Sequence, residues 1–185
     1  MELKETRLDG KTIYKGQVIT LQKDLVKLVD GSTSYREVVR HPGGCCVAAI
    51  DRGLNLIMVR QFRYAYNKLV LEIPAGKLDK LDETPLEAAK RELSEETGYE
   101  AKNWLDLGMI YPTPGYCDEN LYMFAATNID RVCNIHTDEG EFLAVEKFPF
   151  DEVVEKIIHG EIKDSKTVSA VLKVKLLMLQ GKFVV

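Results

Sequence analysis

Glu92, Glu95 and Glu96 stand at i, i+3 and i+4 of the segment Arg91-Glu-Leu-Ser-Glu-Glu96. On a helix those positions are neighbours, so the spacing predicts three carboxylates on one patch. In water such like charges repel mildly, and partial burial adds a desolvation cost. A divalent cation reverses the sign. Mg²⁺ or Mn²⁺ takes oxygen ligands, only a few of them from protein, and fills its remaining positions with water and phosphate oxygens. Taken alone, the six residues are more commonly explained as a solvated helix face, with Lys90 and Arg91 supplying opposite charge.

The helix that must carry these side chains is punctuated at both ends. Thr84 suits an N-cap, Pro85 the first helical position, and Glu87 completes a T-x-x-E capping box; Gly98 follows the last turn, where a left-handed residue is wanted. Leu86, Leu93 and Thr97, with Ala89 at the margin, form its buried stripe. Ahead of it, 45–50 and 54–59 read as strands joined through Asp51-Arg-Gly53 as a hairpin. Further strands are predicted at 105–111, 121–127 and 142–148, and two closing helices at 151–159 and 165–179.

The first forty residues alternate in strand fashion over 12–16, 17–22 and 34–40, with a turn at Asp30-Gly31, and predict a small antiparallel sheet. Three strands with little helix to cover them need a second surface, so dimerisation is expected through this part. The organisation expected is an N-terminal β-sheet segment, 1–40, and a main domain, 41–185, of α+β class.

Composition narrows the partners. The 185 residues carry 25 Lys and Arg against 29 Asp and Glu, a net charge of −4. That balance offers no general attraction for nucleic acid or an anionic membrane, so a polyanionic substrate needs a local device. No apolar run approaches a membrane span and the first residues lack a signal-peptide core, so a cytoplasmic protein is expected. Cys45, Cys46, Cys117 and Cys133 form no C-x-x-C pair and read as reduced, structural thiols. His136 and His159 have no partner at ligand spacing, and Trp104 reads as core packing.

The stretch from Gly76 through Glu83, Arg91, Glu92, Leu93, Glu95, Glu96 and Gly98 to Tyr99 resembles the signature of the Nudix hydrolases, G-x5-E-x7-R-E-U-x-E-E-x-G-U with U apolar. From Glu83 onward every fixed position agrees. Six residues separate Gly76 from Glu83 where the signature has five, which leaves Glu83 and Asp82 both as candidates for the outer acid. The flanks Val59-Arg-Gln-Phe-Arg-Tyr64, Leu71-Glu-Ile-Pro-Ala-Gly-Lys-Leu-Asp79 and Tyr111-Pro-Thr-Pro-Gly-Tyr-Cys-Asp-Glu119 are similar to the ADP-ribose pyrophosphatase branch.

This resemblance implies a Nudix fold, an α/β/α sandwich with a mixed β-sheet between helices. It implies Mg²⁺, with Mn²⁺ as an alternative, held by Glu92, Glu95, Glu96 and the Ala75 carbonyl, with Arg91 orienting the carboxylates. It also implies a nucleoside diphosphate sugar as substrate, contacted by Arg63 and by the flanking Arg60, Glu72, Pro114 and Glu119. The general base would come from the acidic loop 136–142, with Glu141 as first choice and Glu139 as second. Members of the branch form homodimers through an N-terminal sheet. The activity implied is hydrolysis of ADP-ribose to AMP and ribose 5-phosphate. The competing readings are another ADP-sugar or GDP-mannose as substrate, or a binding module without turnover. A pure binder gains little from a costly acidic cluster, which weighs against the last.

Overall fold

The computed structural model describes residues 3–137, 140 and 142–185, which fold as two compact units. The first comprises 1–43 together with 111–120. In it β1 (Thr6–Lys15), β2 (Thr20–Lys27) and β3 (Thr33–Arg40) form an antiparallel sheet in sequence order. The β2–β3 turn is made by Asp30, whose carboxylate accepts from Ser32 N and Oγ, and by Gly31 at φ +86°, a conformation glycine adopts without a Cβ penalty. Segment 111–120 is fastened to β3: Val39 N donates to Tyr116 O, Asp118 N donates to Val39 O, and Arg40 pairs with Asp118 at 2.9 Å.

The second unit comprises 44–110 and 121–185. It holds β4 (Gly44–Ala49), β5 (Asn55–Arg63), β6 (Lys68–Glu72), β7 (Ala75–Lys77), α1 (Pro85–Thr97), β8 (Tyr99–Ile110), β9 (Leu121–Arg131), β10 (Leu143–Pro149), α2 (Phe150–Ile158) and α3 (Ser165–Leu179). Two sheets result, a mixed one in the order β7-β4-β9-β8 and an antiparallel one in the order β10-β5-β6. The mixed character comes from β4, which runs parallel to β9 and antiparallel to β7.

Strand β4 is buried along its whole length because both of its faces are covered. Cys45, Val47 and Ala49 pack with Ala88, Ala89 and Leu93 of α1, while Cys46 and Ala48 pack with Val153 of α2 and Ala170 and Val171 of α3. Alternating residues on a strand point to opposite faces, so one apolar run serves two cores. Helix, sheet and helix layers thus make the expected α/β/α arrangement.

The strand pair 45–50 and 54–59 is not a hairpin. Beyond one bridge between Ile50 and Leu56 the two strands lie in different sheets. The connecting turn is tight, with Asp51 accepting from Gly53 N and Asn55 N, and Leu54 sits at φ +58°. Neither strand has an edge to offer the other: β4 is occupied by β7 and β9, and β5 by β6 and β10.

Helix α1 starts and stops where its punctuation predicts. Thr84 Oγ1 accepts from Glu87 N, the Glu87 carboxylate accepts from Thr84 N at 2.8 Å, and Gly98 closes the helix at φ +73°. Its buried face includes Leu93, Thr97 and Ala89, as the stripe predicts, and adds Ala88 and the carboxylate Glu96. Trp104 packs partly buried in the α1-side core, edge-on to Phe124 at 6.4 Å between ring centroids, with its indole N–H on Ala101 O.

Candidate active site

The carboxylate face of α1 is organised by one guanidinium. Arg91 Nε and Nη2 form a fork on the two oxygens of Glu83 at 2.9 and 3.0 Å, while Nη1 reaches Glu92 Oε1 and Glu95 Oε2 at 2.7 Å each. A planar cation with fixed donor directions is suited to holding three acids in set positions. The Arg91 hydrogen bonds hold the Glu83 carboxyl below its usual range, and the carboxylates push Arg91 well above its own. Of the two candidates for the outer acid, Glu83 is the one that pairs with Arg91. Asp82 occupies a left-handed turn at φ +64°, in the loop that carries the extra residue.

Glu96 is 1% exposed, and its Oε2 accepts from Ala75 N at 3.0 Å, which ties the last carboxylate of α1 to the first residue of β7. Glu92 lies against the next residue, Gly76. A Cβ built there would meet Glu92 Cδ and Oε1 at 1.9 Å, so the bare glycine leaves the room that this carboxylate fills. Two acids of the triad are therefore docked onto β7, and the third, Glu95, faces outward with a third of its side chain exposed.

Among the described residues, no group of three or more His, Cys, Asp or Glu side chains is arranged to hold a metal ion. The donor set still fits a hard cation. Its members are the carboxylate oxygens on α1 and the backbone oxygen of Ala75 at the start of β7, and oxygen is the donor that Mg²⁺ and Mn²⁺ prefer. Glu92, Glu95, Glu96 and the Ala75 carbonyl are the groups that could hold it.

Of the five flanking residues expected at the substrate, Arg60, Arg63 and Glu72 belong to the second unit and Pro114 and Glu119 to the first. Arg63 lies at the end of β5 and forms a bidentate pair with Glu72, at 2.7 Å for both bonds. Glu72 ends β6 three residues before Ala75, whose N–H donates to Glu96, so Arg63 and Glu72 belong to the neighbourhood of the carboxylate cluster. Arg60 is aligned across the sheet with Leu71 and Ala144, and its guanidinium is engaged by Glu146. It borders a cavity of about 290 Å³ that Phe148, Lys156 and Ile162 also line. Pro114 and Glu119 lie in the first unit, where Glu119 sits 3.7 Å from His41 Nδ1.

Glu139 and Glu141 lie outside the described residues. The chain leading to them is fastened along α1: Val132 N donates to Gly98 O, His136 N donates to Glu95 O, and Cys133 meets Ser94. His136 therefore contributes through its backbone, and His159 Nδ1 contacts Glu155 O within α2's last turn.

Lys166, Asp164 and Thr167 were not singled out by sequence reasoning, yet they contact this region. Lys166 Nζ pairs with Glu72 Oε2 and with Asp164 Oδ1, and Thr167 Oγ1 accepts from Ile73 N at 2.9 Å. Nothing local in the sequence marks Lys166, because its partner Glu72 is 94 residues away.

The chain matches the NUDIX domain family over residues 39–170. It is 41% identical over 168 residues, 90% of each chain, to a methanol dehydrogenase activator from Bacillus methanolicus. It is 37% identical over 170 residues, 91% of each chain, to an ADP-ribose pyrophosphatase from Bacillus subtilis (strain 168). Among solved structures it is similar to an ADP compounds hydrolase, with a TM-score of 0.84 over 99% of this chain and all of that one; at 22% identity this likeness shows the fold.

Proposed function

Because this chain belongs to the NUDIX domain family, we propose that it hydrolyses the diphosphate of ADP-ribose, with water breaking one P–O–P bond to release AMP and ribose 5-phosphate. The observation that carries the reading is the acidic face of α1, where Arg91 and Glu83 lock Glu92 and Glu95 beside the buried Glu96. Glu92, Glu95, Glu96 and the Ala75 carbonyl would hold Mg²⁺ or Mn²⁺, which when bound neutralises diphosphate charge and lowers the pKa of coordinated water.

The remaining work falls to the chain itself. Arg63, with 41% of its side chain exposed at the cluster's margin, binds phosphate oxygens of the substrate. Glu141 takes the proton from the attacking water, and Glu139 is the alternative. Arg91 touches the carboxylates and keeps them in place. Arg60, engaged by Glu146, has the weakest case as a substrate contact.

The chain works in the cytosol as a homodimer. The first reading rests on the cysteines, which are free among the described residues, with Cys45 and Cys46 fully buried as small core side chains. The second rests on the first unit, where Leu8, Ile13, Tyr14 and Tyr35 stand exposed on a three-stranded sheet. Light scattering at micromolar concentration should give twice the 20.9 kDa chain mass.

Hydrolysis assays with Mg²⁺ or Mn²⁺ on ADP-ribose, ADP-glucose, GDP-mannose, NADH and diadenosine polyphosphates, with product analysis, test the reaction. ADP-ribose should lead, and Glu96→Gln should lower kcat by orders of magnitude in a folded protein. Hydrolysis of no member would favour a binding module. The likeness to a methanol dehydrogenase activator supports a second reading, action on a dehydrogenase, which methanol oxidation assayed with and without the protein would reveal.

A further inference from the structure

Glu72 is as deeply buried as Glu96, at 1% exposure, although it belongs to no part of the carboxylate cluster. An ionised carboxylate taken out of water is tolerated only when cations and hydrogen bonds surround it. Two cations do so. Arg63 grips both oxygens through Nε and Nη2, and Lys166 Nζ binds Oε2 from the first turn of α3. Burial pulls the Lys166 ammonium down, but Asp164 and Glu72 more than reverse this, so it stays charged with its pKa above the ordinary lysine value.

The chain of contacts continues beyond Lys166. Asp164 binds Lys166 Nζ with one oxygen at 2.9 Å and caps α3 with the other, accepting from Thr167 N and Oγ1 at 3.0 and 2.6 Å. Thr167 Oγ1 accepts in turn from Ile73 N, the residue after Glu72. The start of α3 and the end of β6 are thus joined at two consecutive residues. Joining the elements would need only the neutral Thr167 to Ile73 bond. The charged branch goes further and ends at Arg63, its most exposed member, with 41% of the side chain in solvent against 11% for Lys166 and 17% for Asp164.

The fork on Glu72 uses Nε and Nη2, so Nη1 is the corner of the guanidinium left pointing away from the pair. A flexible arginine held on two bonds has its orientation fixed before a ligand arrives, which lowers the ordering cost of binding. Lys166 also shares the charge of Glu72, so that charge does not fully cancel the field of Arg63. We infer that Glu72 and Lys166 are positioning residues that act through Arg63, fixing it to receive an anionic diphosphate. The inference rests on the reading of Arg63 as a phosphate contact.

Glu72→Gln separates positioning from simple electrostatics. It adds one positive charge to the neighbourhood, so a role through field alone lowers KM for ADP-ribose. Loss of the bidentate hold raises KM instead, by about tenfold, with the smaller part of the loss in kcat. Lys166→Met should raise KM by a similar factor. Neither change should add to the KM of Arg63→Ala when combined with it, because both act through Arg63; independent structural damage would add. Melting curves accompany every variant, and should Lys166→Met fail to fold, the near-isosteric Glu72→Gln carries the cycle alone.

A lowered or unchanged KM in Glu72→Gln, an unchanged KM in Arg63→Ala, or additive losses in the double variants would overturn the inference. Absence of ADP-ribose turnover by the wild-type chain would instead overturn the substrate reading, so the two failures are distinguishable.

Discussion

Gly76→Ala tests the link between packing and chemistry at one atom. The added Cβ would stand 1.9 Å from Glu92 Cδ and Oε1 and 2.5 Å from Cγ. Ordinary contact begins at 3.4 Å, so the carboxylate must retreat by about 1.5 Å. Gly76 is not one of the positive-φ glycines, so alanine brings no backbone strain, and the atoms it displaces are the far end of a flexible side chain. An off-rotamer adjustment of that kind costs about 1 kcal/mol, or roughly 2–4 °C of melting temperature in a chain of this size.

The catalytic cost of the same change is larger. Glu92 Oε1 is the atom that Arg91 Nη1 holds at 2.7 Å, and it would leave that position while Arg91 keeps its fork on Glu83 and its bond to Glu95. Misplacing a reacting or ligating group by about 1 Å can cost on the order of 10²-fold in rate. We therefore expect Gly76→Ala to melt within a few degrees of wild type, to lose about 10²-fold in kcat on ADP-ribose, and to need more Mg²⁺ for half-maximal rate. Turnover and Mg²⁺ dependence equal to wild type would refute the claim that Glu92 must sit against a bare backbone. Collapse of the fold would refute the claim that the burden falls on the carboxylate.

Glu141→Gln should leave ADP-ribose binding by calorimetry nearly unchanged while slowing single-turnover hydrolysis by about 10²–10⁴-fold; if Glu139→Gln does this instead, the base is Glu139. Arg91 holds the Glu83 pKa below its ordinary 4.5, so Glu83 stabilises the fold fully above that value and loses its contribution as pH falls through the lower folded value. Glu83→Gln should accordingly depress the melting temperature most near neutrality and progressively less on acidification below 4.5, and a penalty independent of pH would contradict the pairing. Thr84→Ala removes both the acceptor for Glu87 N and the donor to Glu87, and should cost about 1 kcal/mol in denaturant unfolding without altering the Mg²⁺ requirement.

What the sequence alone determined was the part governed by short spacing. The N-cap, proline, capping box and C-terminal glycine of α1 all act within four residues, and the i, i+3, i+4 placement of Glu92, Glu95 and Glu96 follows from helix geometry. These features, with the Nudix signature built on them, marked α1 as the helix with the acidic face and pointed to the family the chain belongs to. Tertiary structure decided everything that depends on partners far along the chain. It put 45–50 and 54–59 into separate sheets, because each strand's edges were taken by strands from elsewhere. Among the acids it buried Glu96 against Ala75 and left Glu95 outside, a distinction invisible in three identical letters. It also paired Arg91 with Glu83, and it gave the two arginines of β5 different carboxylates, Glu72 for Arg63 and Glu146 for Arg60. Lys166 shows the limit most clearly, being a lysine in an apolar helix whose meaning comes from an acid 94 positions earlier. Helix geometry is written locally in a chain, whereas burial and ion pairing are properties of the folded neighbourhood.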